Sequence, residues 1–390
     1  MKRIILVLII VLVGVSCHNV KPVVQVEPPF VFRPQARELP RRLPLLFEKL
    51  PPPFLSIAAV GDIMLGEVTP QYMQQYGVSY PFDSTRQILA EADLTMGNLE
   101  AAFSNTGTRF EKKFTFKVPP QYAKSLLHAG IDVVTLANNH ILDFGMEALK
   151  NTITTLDSLG IDHCGAGVTF EEAIKPALLE RNGYRVAVLG YSLTFPEEFW
   201  ANRQHGGTVF PHESLLKKSI QLCETLADIT IVTFHWGAEL ANYPKDYQKQ
   251  IAYQSIDYGA DLVIGHHPHV LQGLEIYKNR LIAYSLGNFT FSSYSRKTTE
   301  SIILKVFLTR NGLLYAKAIP VCVNNDRVHF QPRRLVGAEA DTVLAQLRRF
   351  SAPLKNAASI DERGYISSQG ALVAKHTMPI DTARVKNSGH

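Results

Sequence analysis

The chain has 390 residues, of which 46% are hydrophobic and 19% charged, with a formal net charge of +5. That is enough apolar material for one large or two modest globular domains. The cationic excess is mild and no basic block is interleaved with aromatics, so composition gives no support to a nucleic-acid partner.

Lys2 and Arg3 precede an apolar run over residues 4–13, and Gly14-Val15-Ser16-Cys17 follows. This is the pattern of a secretory signal, and the run is too short for a comfortable transmembrane helix. Cys17 resembles the modified cysteine of the lipobox in bacterial lipoproteins. That likeness implies cleavage before Cys17, lipid attachment there, and membrane anchoring on the extracytoplasmic face of the envelope. Gly14 departs from the aliphatic residue usual at its position in that box. Residues 18–53 contain Pro22, Pro28, Pro29, Pro34, Pro40, Pro44 and Pro51 to Pro53, and read as an extended linker.

The folded body is expected over residues 54–336, with a helix and a polar tail in 337–390. Apolar runs at 57–60, 94–96, 133–136, 185–189, 229–234 and 262–264 read as strands. Helices are expected over 84–92, 119–129, 146–159, 170–174, 214–226 and 246–258, with Gly130 and Gly160 as stops. Beyond residue 270 the pattern turns to hairpins, 274–277 with 281–284 and 302–308 with 313–319. An amphipathic stretch follows at 343–350. The fold class is therefore α/β, ending in antiparallel β structure. Cys164, Cys223 and Cys322 are widely spaced in apolar surroundings and read as core residues rather than a disulfide framework.

Five of the apolar runs stop at residues that can bind metal. They lead into Asp62, into Asn98 and Glu100, into Asn139, His140 and Asp143, into His235 and Glu239, and into His267 and His269. Ligands of open α/β sheets collect outside the carboxyl ends of strands. Pro268 is expected to hold His267 extended, so that His267 and His269 point one way and His266 the other. Asp62, Glu100, Asn139, His235, His267 and His269 form a mixed nitrogen and oxygen donor set. It suits one or two divalent ions, with Mn, Zn or Fe fitting better than Ca. In two-metal sites one carboxylate can bridge, and bound water becomes a nucleophile. Such a centre attracts an anion. His140 could protonate a leaving group or hold an oxyanion, with Asp143 orienting it. Asn98, Glu239 and Asn288 are candidates for supporting the ligands or touching substrate. Glu239 reads equally as a solvated carboxylate and Asn288 as a turn residue. Trp236 reads as packing rather than as a substrate platform.

The motifs Val60–Gly66 (VGDIMLG), Gly97–Glu100 (GNLE), Leu136–Gly145 (LANNHILDFG), His235–Glu239 (HWGAE), Gly265–Gly273 (GHHPHVLQG) and Ser285–Phe289 (SLGNF) resemble, in order, the CapA family of bacterial capsule synthesis. That family is associated with poly-γ-glutamate and lies within the calcineurin-like metallophosphoesterase superfamily. The resemblance covers residues 56–291 and implies an αββα two-sheet sandwich with a metal site at its edge. It implies that Asp62 and His269 serve a first ion and Asn139, His235 and His267 a second, with Glu100 bridging. His140 takes the acid or oxyanion role. Phosphoesterases of this class carry a histidine two residues after the first Asp, where this chain has Met64, and an Asp where it has Glu100. The function implied is capsule or poly-γ-glutamate synthesis or export, on or with an anionic polymer and possible synthase or export proteins. The alternatives are an extracytoplasmic metallophosphoesterase and a non-catalytic polymer-binding module.

Overall fold

The structure is a computed structural model that describes residues 54–368. The signal-like segment, Cys17 and the proline-rich stretch lie outside the described residues.

The strand Leu55–Ile63 shows how the body is layered. Its side chains alternate, as strand geometry requires. Leu55, Ile57 and Ala59 enter one core, and Ala58, Val60 and Ile63 another. It lies parallel to Leu94–Leu99, which lies parallel to Val133–Thr135; on its other side Glu300–Thr309 runs antiparallel. These strands belong to a ten-stranded sheet. A six-stranded sheet contains Tyr184–Ser192, Ile229–His235 and Leu262–His266, all parallel. The inward faces meet in one core, where Ile57, Leu94 and Val133 share a cluster with Val188, Ile231 and Ile264. Helices Lys124–Ala129 and Gly145–Leu159 cover the outer face of the larger sheet through Leu126, Leu149 and Leu156. Helices Glu213–Leu226 and Asp246–Asp257 cover the smaller one through Leu216, Ile220, Ala252 and Ile256. The order of layers is helix, sheet, sheet, helix, which is the expected αββα sandwich.

Gly130 and Gly160 end their helices in left-handed backbone, at φ 81° and 66°. The expected helix over 119–129 is divided. Pro120–Ala123 forms a 3-10 turn, and α geometry begins at Lys124. Helix Thr69–Tyr76 escapes a reading by periodicity because only Thr69 and Met73 are buried along it. The first hairpin closes on Lys278 and Asn279, both with positive φ. The C-terminal strands are not purely antiparallel. Arg280–Ala283 also pairs parallel with Leu262–His266, and Asn288–Thr290 pairs parallel with Leu55–Ile63.

The core continues past residue 336. Helix Gly337–Ser351 places Val343, Leu344, Leu347 and Phe350 in the cluster between the sheets, and Tyr365–Ser367 pairs with Gly312–Cys322. The boundary drawn at Val336 from sequence cuts through this packed unit. Cys164, Cys223 and Cys322 are free and buried, as expected of core residues. Among the described residues no helix is long and apolar enough to cross a membrane.

Candidate metal centre

The carboxyl ends of the parallel strands in both sheets converge on one point. At Gly61 a Cβ atom would lie 1.8 Å from the Gly287 carbonyl oxygen. Only glycine allows this approach, which sets Asp62 beside Asn288. The Asp62 N–H donates to Gly287 O at 3.0 Å. Asn98 and Glu100 arrive on the neighbouring strand. The Asn98 amide donates to Asp62 Oδ1 at 2.9 Å and to Glu100 Oε2 at 3.1 Å, while its Oδ1 accepts from Asn138 at 3.0 Å.

The histidines come from the smaller sheet. His235 Nε2 lies 2.8 Å from Asn139 Oδ1, 3.1 Å from His267 Nδ1 and 3.6 Å from Glu100 Oε1. His269 Nδ1 lies 3.2 Å from Asp62 Oδ2 and 2.9 Å from Asn288 Oδ1. Two sets of ligand atoms each fall within 4.8 Å of one another: Asp62, Glu100 and His235, and Glu100, His267 and His269. The shortest contacts pair His235 with Asn139 and His267, and Asp62 with His269, so the two sets overlap and neither assigns a side chain to a particular ion. Glu100 is common to both sets. Met64, two residues after Asp62, is apolar and fully buried, and its Sδ accepts from Gly66 N–H at 3.1 Å.

The expected extended geometry at His267 is not what the chain adopts. The strand ends at His266, and His267 and His269 have φ of 96° and 59°. This turn, not strand alternation, brings both rings to the centre. His266 therefore does not face away from it. His266 Nδ1 lies 3.3 Å from Asp62 Oδ1, in a fully buried position. A side chain behind a ligand fixes that ligand's orientation, and disturbing such a partner weakens metal binding about 10–100-fold. His266→Phe should produce a loss of that order in a metal titration, with the fold intact by circular dichroism. Unchanged affinity would show that His266 is only filler.

Burial raises the Asp62 carboxyl, but the His266 and His269 contacts outweigh it and hold the group well below the carboxylate range. Burial and the Asp62 charge push Glu100 well above it. Burial and His267 lower His235, and burial and His269 bring His267 down to about 3. Burial would lower His269 too, but Glu100 and Asp62 raise it to about 9. Glu100 Oε1 is buried without a hydrogen-bond partner. Such a group costs free energy unless something satisfies it, and a divalent cation would satisfy it along with the crowded imidazole nitrogens. The residues present fit a metal ion.

The His269 shift has a consequence for pH. Without a cation His269 holds its proton below about pH 9, so loading an ion must release it. Affinity should rise with pH up to that point, by about tenfold per unit for each proton released, and fall as pH drops. Calorimetry in buffers of different ionisation enthalpy counts the protons; none released at neutral pH would contradict this.

Beside the cluster, His140 Nδ1 lies 2.7 Å from Asp143 Oδ2. The Nδ1–H donates to the carboxylate, which orients the ring and leaves Nε2 for other partners. Lys112, which no sequence pattern marks, supports this pair. Its Nζ lies 2.5 Å from Asp143 Oδ1 and 3.2 Å from His140 Nδ1, and also donates to Asn139 O. Burial lowers the pKa of both Lys112 and His140 against the pull of Asp143. Glu239 is exposed, and among the described residues it makes no hydrogen bond to a site histidine; only its charge reaches Glu100 and His269. Trp236 is a packing residue, stacked on Phe234 at 4.5 Å with its Nε1–H donating to Tyr284 O at 2.9 Å.

The family model described as "Bacterial capsule synthesis protein PGA_cap" matches residues 56–293. The capsule biosynthesis protein CapA of Bacillus anthracis is 32% identical over 275 residues, spanning 68% of this chain and 67% of that protein. The PGA biosynthesis protein CapA of Bacillus subtilis (strain 168) is 31% identical over 273 residues, spanning 69% and 72%. Among solved structures, the calcineurin-like phosphoesterase YfkN from Bacillus subtilis is 13% identical and covers 78% of this chain and 98% of its own, with a TM-score of 0.43. The matched residues take in Asp62, Glu100, Asn139, His235, His267 and His269, the same side chains that converge in space, and the chain belongs to the bacterial capsule synthesis protein family PGA_cap.

Proposed function

We propose that this protein serves capsule or poly-γ-glutamate synthesis or export on the extracytoplasmic face of the envelope, held by lipid on Cys17. In this reading it acts on or binds an anionic polymer at a divalent metal centre. One observation carries the proposal: a buried cluster of two carboxylates and three imidazoles in which Glu100 Oε1 has no hydrogen-bond partner. Asp62, Glu100, Asn139, His235, His267 and His269 would hold one or two ions, with Mn, Zn or Fe suited to these donors. A bound ion would supply Lewis acidity and net positive charge toward an anionic group. Asn98 and Asn288 keep Asp62, Glu100 and His269 in place. His140, braced by Asp143 and Lys112, is placed to hold or pass a proton at Nε2. That pair also favours a second reading, hydrolysis of phosphoesters, against which Met64 removes a ligand of the usual set.

The test compares metal-loaded and metal-stripped protein against poly-γ-glutamate and against phosphomonoesters and diesters. Metal-dependent cleavage or binding of the polymer supports the first reading. Phosphoester turnover with indifference to the polymer would replace it with the second. Mass spectrometry of the mature N-terminus decides the anchor, since a chain that retains Met1 is incompatible with lipid on Cys17.

A further inference from the structure

The segment 109–117 is hung on the centre's own residues. The Phe110 N–H donates to Asp143 O at 2.8 Å, and the Phe116 N–H to Asp143 Oδ2 at 2.7 Å. The Phe116 ring sits 4.4 Å from His140 and 6.0 Å from Phe291, which is itself 4.8 Å from His269. The arc between these anchors therefore lies directly against the candidate proton donor. It carries Arg109, Lys112, Lys113 and Lys117 against Glu111 alone. Lys112 turns inward and is matched by Asp143. The other three have no ion-pair partner among the described residues. Arg109 Nε donates to Thr115 Oγ1 at 2.8 Å, Lys113 lies over Phe114, and Lys117 lies over Phe144 and reaches Thr106 O at 3.4 Å. Phe114, next to Lys113, is 57% exposed.

Three cations without an ion-pair partner among the described residues and a half-exposed aromatic ring on one anchored arc have a definite chemical complement. Cations in excess of the nearby carboxylates attract anions, and an exposed ring offers contact to methylene groups. We propose that segment 109–117 is the track that holds an anionic polymer, one whose carboxylates are separated by methylene stretches, where it meets the centre. Arg109, Lys113 and Lys117 bind carboxylates along the polymer and Phe114 packs on the spacer between them. Lys112 is the positioning residue that ties the track to Asp143 and His140. This inference rests on the polymer reading above and names the surface that would give it specificity.

The experiment measures binding of end-labelled poly-γ-glutamate to the purified full-length chain by fluorescence anisotropy, at low and high salt. It compares the natural protein with the triple variant Arg109→Gln, Lys113→Gln, Lys117→Gln. A cation facing an anionic surface contributes about fivefold in affinity, so the variant should bind on the order of 100-fold more weakly at low salt. Its salt dependence should also flatten, with metal content unchanged. If the natural protein binds and the variant binds equally well, the track is wrong while the polymer reading stands. If the natural protein does not bind the polymer at all, the reading fails and the track with it. Loss of bound metal in the variant would mean that the segment only supports the centre's structure, and would also overturn the track.

Discussion

Replacing Glu100 with alanine should strip the protein of bound metal. Glu100 belongs to both ligand groups, its Oε1 is buried without a partner, and its Oε2 is held by Asn98. Disturbing only a partner behind a ligand costs about 10–100-fold in affinity. Removing a shared, charged ligand should exceed that, so a loss of more than about 100-fold is expected at every ion present. Asp62→Ala and His267→Ala each remove one member of one group and should leave the other measurable. Met64, two residues after Asp62, offers no nitrogen donor to a hard or borderline ion, so the Asp62 side should have the poorer donor set and one ion should be held more firmly than the other. A Glu100→Ala protein that keeps its full metal complement would show that the bridging position has been misread.

Cutting the chain after Val336 should prevent stable folding. The cut removes Val343, Leu344, Leu347 and Phe350 from the core between the sheets, where each is at least 95% buried. Burial of a side chain of this size contributes about 1.5–3 kcal/mol, so the four together contribute about 6–12 kcal/mol. Whole domains are stable by only about 5–15 kcal/mol. The truncated protein should aggregate or lose its cooperative thermal transition, whereas a chain ending after Ser367 should keep it. A sharp transition in the shorter chain, near that of the longer one, would show that the helix is dispensable.

The parts of this fold that sequence made legible are those in which local chemistry and tertiary structure agree. Apolar runs ending in Asp62, Glu100, His235 and His267 became parallel strands whose carboxyl ends converge, because buried parallel strands are continuously apolar and their ends are the free edge. Gly130 and Gly160 stopped helices because glycine takes left-handed backbone at little cost. The failures have equally local causes. Strand alternation does not govern His266, because the strand ends at that residue. The chain turns there instead, and His267 and His269 adopt positive φ. The boundary at Val336 failed because a composition shift says nothing about which face a later helix buries. Lys112 was invisible because its role depends on a loop folding back onto Asp143, 31 positions later in the chain, and no periodicity records such a contact.

The account turns on the cluster at the sheet edge being a metal centre. Elemental analysis of the full-length protein, purified without chelators and then offered Mn, Zn and Fe, tests that most directly. The account predicts one or two equivalents of divalent metal in the natural protein and none in Glu100→Ala. A natural protein that holds no ion under any of these conditions would contradict it.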